Sequence, residues 1–133
     1  RYEQRFNWDT PGNATVLLDL GAVKNIARVS INGKLVGTLW TSPWRLDISA
    51  FLKKGENELT IEVANLWANR LIGDEHKPDD GIVGDRWPEW LIKGQPRTSG
   101  RYTFTTSRQY TKDSPLLPSG LIGPVMILSS STE

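Results

Sequence analysis

Three short runs of this chain alternate apolar and polar residues with a period of two. Val16, Leu18 and Leu20 form the first, Ala27, Val29 and Ile31 the second, and Leu59, Ile61 and Val63 the third. Successive side chains of an extended strand point to opposite faces, so each run reads as a strand with one face in a core and the other in water. Such half-buried strands belong to antiparallel sheets. Asn32-Gly33-Lys34 separates the second run from Leu35–Trp40, and Asn-Gly is the strongest short hairpin signal because both residues tolerate positive φ.

The pattern continues past the hairpin and then stops. Ser49 is expected to cap one helical turn that Gly55 ends, before the third strand. From about residue 66 to 100 no period fits. Pro78, Pro88, Pro96, Gly73, Gly81, Gly84 and Gly94 punctuate this stretch, while Trp67, Leu71, Ile72, Ile82, Trp87, Trp90 and Leu91 argue that it is ordered. Strands are expected again at Arg101–Thr106 and Pro124–Leu128, joined by a proline-bounded loop. The expected fold is all-β: one antiparallel jelly-roll β-sandwich over residues 1–133, with one long irregular loop at 66–100.

Composition narrows the function classes. With 16 basic and 15 acidic residues the formal net charge is +1, which predicts neither a nucleic-acid nor a membrane-surface partner. No apolar run reaches the ~18 residues of a membrane span. Without cysteine there is neither a disulfide framework nor a thiolate metal site. Arg1 opens the chain without a signal peptide, so we read the chain as a piece of a longer protein. The six tryptophans stand out against three Phe and three Tyr. They point to an aromatic interface or to a surface that stacks on sugar rings.

Other residues now carry a resemblance. Leu18-Asp19-Leu20-Gly21, Ala27–Lys34, Leu39–Ile48 and Lys54–Val63 together resemble the sugar-binding jelly roll of family 2 glycoside hydrolases, a galactose-binding-like fold. Asn65–Glu75 and Pro118–Val125 are similar to the C-terminal β-sandwich of family 106 glycoside hydrolases, the α-L-rhamnosidases. The resemblance covers residues 14–128. It implies an accessory domain of a secreted or periplasmic bacterial enzyme, whose catalytic carboxylates sit on a separate barrel. The implied partners are that catalytic domain and a rhamnose-containing polysaccharide, and the chain itself is expected to be a non-catalytic monomer.

The candidate carbohydrate-binding residues are Trp67, Asn69, Arg70, Asp74, His76, Trp87 and Trp90. An indole ring covers the C–H face of a sugar, and Asn, Asp and Arg hold its hydroxyls. The competing reading makes the tryptophans packing residues against the loop or the catalytic domain, with Arg70 paired to Asp74 at helical spacing. Trp40, Trp44 and Arg45 read as rim packing. No cofactor is expected. Asp74, Glu75, Asp79, Asp80 and Asp85 offer the hard oxygens of a structural calcium site, but no EF-hand spacing appears and a solvated acidic loop is preferred. A lone histidine, His76, gives zinc too few ligands. Phosphate-loop, hydrolase-elbow and zinc-protease motifs are absent. Asn13-Ala14-Thr15 matches a glycosylation sequon.

Overall fold

In the computed structural model, which describes residues 1–9 and 14–130, the alternating runs become strands. The chain forms two compact units, Arg1–Leu66 with Pro118–Glu133, and Trp67–Leu117. Asn13 lies outside the described residues.

All the named strands lie in the first unit. They are β1 (Tyr2–Trp8), β2 (Val16–Asp19), β3 (Ala22–Lys24), β4 (Ile26–Ile31), β5 (Lys34–Leu39), β6 (Arg45–Asp47), β7 (Gly55–Ala64), β8 (Gly120–Gly123) and β9 (Met126–Ser129). One sheet has the order β1-β7-β4-β5, a second β6-β2-β9, and β3 pairs with β8. Every strand pair is antiparallel.

Period two decides the core. Val16, Leu18 and Leu20, Ala27, Val29 and Ile31, and Leu59 and Ile61 are all buried, joined by Val23 and Ile48. These side chains come from both larger sheets and make one β-sandwich interior. The Asn-Gly hairpin forms as expected. Ile31 pairs with Lys34 across a two-residue loop in which Asn32 and Gly33 have φ of 52° and 74°.

Asn57 locks that end of the sheet. Its side chain is buried and makes four hydrogen bonds: Oδ1 accepts from Asn32 Nδ2 and the Lys53 N–H (2.9 Å each), and Nδ2 donates to the carbonyls of Lys53 (2.8 Å) and Gly55 (2.9 Å). The short 3₁₀ turn Ser49–Phe51 forms, but Ser49 does not cap it. Its hydroxyl instead accepts the Val16 N–H and donates to Asp47, tying the turn to β2. At the rim, Trp44 packs on the core and Trp40 is 76% exposed, so the alternation puts Leu39 inward. Arg45 pairs with Asp19 at 2.7 Å.

One strand went unread in the sequence and one expectation needs correction. The segment Tyr2–Trp8 is a strand, although its polar residues hid the alternation; only Phe6 and Trp8 of β1 pack on the core. Arg101–Thr106 is not a strand. The backbone N–H groups of Tyr102 and Thr103 are taken by a carboxylate, Asp74, which leaves them unavailable to a ladder.

The stretch expected as one irregular loop belongs to the second unit, which runs on to Leu117. It carries two short helices, α1 (Ala68–Asp74) and α2 (Glu89–Ile92). Among the described residues no helix is long and apolar enough to cross a membrane.

Candidate functional site

The candidate residues fall in the Trp67–Leu117 unit, where side chains do the work that strands do elsewhere. Asn69 closes its two ends: Nδ2 donates to the Leu117 carbonyl (2.8 Å) and Oδ1 accepts the Leu117 N–H (2.9 Å). This paired amide contact mimics one rung of a sheet.

Asp74, at the end of α1, is 4% exposed. Its Oδ2 accepts the Tyr102 N–H (2.8 Å), the Thr103 N–H (2.6 Å) and the Thr103 hydroxyl (2.7 Å). Burial alone would raise its pKa. The bonds from Thr103 and Tyr102, with the charge of Arg70, outweigh burial and hold the carboxyl below its ordinary range. Arg70 itself lies over the Tyr102 ring, 5.1 Å from its centre, rather than paired to Asp74.

Asp80 is the second knot. Arg97 reaches it with two parallel bonds, Nε to Oδ2 at 2.6 Å and Nη2 to Oδ1 at 2.7 Å, and the Ser99 hydroxyl adds a very short third. The Arg97 contact is the main cause that lowers the Asp80 pKa from 3.8 to about 2. Arg97 also donates to the Thr103 carbonyl (2.7 Å) and lies over Trp90, 5.3 Å from the ring centre. The Trp90 indole N–H returns to the Asp80 carbonyl at 2.8 Å.

A third group links Glu75 and Asp79 to two arginines. Arg101 bonds Glu75 at 2.9 Å and also holds the carbonyls of Lys77 and Pro78. Arg108 pairs with Glu75 at 3.7 Å and makes a shorter contact to Asp79. The acids considered for calcium are therefore largely matched to arginines. Among the described residues no three His, Asp or Glu side chains come together as a metal site.

The aromatic candidates divide. Trp90 is half-buried, with Phe104 edge-on at 6.0 Å and its N–H spent. Trp87 stacks on Phe104 at 5.9 Å and remains 51% exposed. Trp67 is 63% exposed, and His76 is exposed. Of the seven residues, Asn69, Arg70, Asp74 and Trp90 are therefore engaged within the unit, while Trp67, His76 and Trp87 face solvent.

Sequence reasoning missed Arg97, Arg101, Phe104 and Arg108. A usable signal existed: an acidic stretch at 74–80 is followed by arginines at 97, 101 and 108, in a chain whose total charge nearly cancels. A strand reading of 101–106 concealed it.

Comparison with known proteins accords with the sandwich. A protein of Formosa agariphila assigned as a beta-glucuronidase is 49% identical over 119 residues, which is 86% of this chain and 10% of that protein. The solved structure of a rhamnosidase from Novosphingobium sp. PP1Y superposes with a TM-score of 0.71 at 38% identity, covering 97% of this chain and 10% of that one. The chain thus spans about a tenth of the length of either relative. Residues 1–108 match the family model described as glycosyl hydrolase 2 galactose-binding domain-like, and the chain belongs to that family.

Proposed function

We propose that this chain is a non-catalytic accessory module of a larger, secreted or periplasmic glycoside hydrolase acting on rhamnose-containing polysaccharide. In this reading it is the family 106-type C-terminal sandwich, and its Trp67–Leu117 unit packs against the catalytic domain. The rhamnose assignment draws support from the likeness to the Novosphingobium rhamnosidase over nearly the whole chain.

One observation carries the packing role. The polar candidates Asn69, Arg70 and Asp74 are engaged internally, while Trp67, Val83, Trp87 and Ile92 are 51–71% exposed. A module within a longer enzyme covers such side chains where it meets the neighbouring domain. Burying each fully would contribute about 1.5–3 kcal/mol. The internal bonds keep the unit ordered before it docks, which lowers the entropy cost of docking.

Hydrogen exchange tests this. Backbone amides of residues 82–92 should exchange more slowly in the longer protein than in the 133-residue chain alone, and the chain alone should bind a hydrophobic dye. Equal exchange in both contexts would remove the interface.

A further inference from the structure

Asn32 is the one asparagine of the sequence that glycine follows. The pair has a chemistry of its own besides its turn preference. The Gly33 backbone nitrogen, with no side chain beside it, attacks the side-chain carbon Cγ of Asn32. That nitrogen gives up its proton to solvent, the Cγ–Nδ2 bond breaks, and Nδ2 takes a proton and leaves as ammonia. Water then opens the cyclic imide at either carbonyl, giving aspartate or isoaspartate. Gly33 is exposed, so water reaches this end of the hairpin.

The fold holds the reacting amide in place. Asn32 Nδ2 donates to the Phe51 carbonyl (3.0 Å) and to Asn57 Oδ1 (2.9 Å), and Asn32 Oδ1 accepts the Glu58 N–H (3.1 Å). The backbone N–H of Asn32 is spent as well, on the Glu58 carbonyl at 2.9 Å. Ring closure forfeits both bonds from Nδ2 and draws Cγ toward Gly33, away from β7. It therefore requires that this end of the sheet open first.

We propose that Asn32 is a self-modification site gated by opening of the hairpin end, and that its conversion locks that end against closing again. The proposal goes beyond the accessory role and does not depend on it. Fixed polarity carries the lock. The Phe51 carbonyl can only accept. Asn57 cannot turn its amide to offer an N–H, because its Oδ1 also accepts from Lys53 and its Nδ2 serves the carbonyls of Lys53 and Gly55. A carboxylate at position 32 has no N–H for either partner. It would set a negative charge against two oxygens, one of them on a buried side chain. Isoaspartate adds a backbone carbon to a two-residue loop whose register is already set by Ile31 against Lys34.

The test is the rate of amide-to-acid conversion at Asn32 in the 133-residue chain, read by mass spectrometry of its digest at mildly alkaline pH. Each rate is taken relative to a free peptide of residues 28–37 in the same buffer, which removes any effect of urea on the chemistry. The native chain should convert at least ~tenfold more slowly than the peptide, and the urea-unfolded chain should match it. Asn57→Ala removes one of the two Nδ2 acceptors and should raise the native rate at least ~threefold. If that variant does not fold, wild-type conversion in urea below the unfolding transition reads the same opening and should rise with urea. Asn32→Asp reproduces one product and should lower the melting temperature by at least ~4 °C. Native protection below ~tenfold would overturn the gate, as would a native rate that neither Asn57→Ala nor urea changes. A smaller fall in melting temperature for Asn32→Asp would overturn the lock. The accessory role is read separately by hydrogen exchange in the longer protein, so either idea can fail alone.

Discussion

Replacing Asp80 with Asn keeps the shape of the side chain and removes its charge. Arg97 then faces an amide that can accept only through one atom, and its second bond meets an N–H₂ donor. Arg97 is 16% exposed and Asp80 13%, so water does little to compensate. Folding lowers the Asp80 pKa from 3.8 to about 2, chiefly through the bond from Arg97. The difference corresponds to roughly 2 kcal/mol favouring the ionised, folded form. This free energy should appear as local protection, because the Trp90 indole N–H and the Thr103 N–H lie in the same network. In Asp80→Asn, exchange of both hydrogens should accelerate on the order of 30-fold at neutral pH.

The same pair predicts a pH dependence. A carboxyl with a lowered folded pKa binds fewer protons folded than unfolded. Its stabilisation is complete above the unfolded value of 3.8 and is lost as pH falls toward about 2. Wild-type protection at Trp90, corrected for intrinsic exchange, should fall across that interval, and the variant should show no matching step from this residue. Acceleration below threefold, together with a wild-type profile flat down to pH 2, would refute the assignment of Asp80 as the brace of this unit.

Two further outcomes follow from the sandwich. Asn57→Ala removes four hydrogen bonds from a buried site and should cost about 3 kcal/mol in urea unfolding of the chain; a loss under 1 kcal/mol would contradict the count. Gly21→Ala should cost at least ~2 kcal/mol, read by calorimetry, because Gly21 has φ of 65° and a Cβ there would overlap the Gly123 carbonyl; a melting temperature unchanged within 2 °C would show that the two glycines do not need their close approach.

Most of the sandwich was legible because its signals are local. Alternation at 27–31 and 59–63 states which side chains face inward, and Asn32-Gly33 states where the chain reverses. Edge strand β1 escaped because an edge strand buries little. Only Phe6 and Trp8 of its seven residues pack on the core, and the polar Gln4 on the same face interrupts the pattern. The reading of 101–106 failed for the opposite reason. Tyr102 and Phe104 alternate with threonines as a strand would, yet Asp74 reaches the backbone first.

The sequence by itself determined the all-β class, the hairpin and the faces of the central strands, because period two and turn chemistry act between neighbours. It also showed that three of the six tryptophans fall in the aperiodic stretch after residue 66. Only the tertiary structure decided which of them are free. Trp90 gives its N–H to Asp80, ten residues away, and Asp80 holds Arg97, seventeen away. Glu75 holds Arg101 at a separation of twenty-six. Such pairings obey no local period, since a charge seeks whichever opposite charge the folded chain brings near, and burial then makes the pairing obligatory. The division of this unit into braced polar groups and exposed tryptophans is therefore a property of the fold.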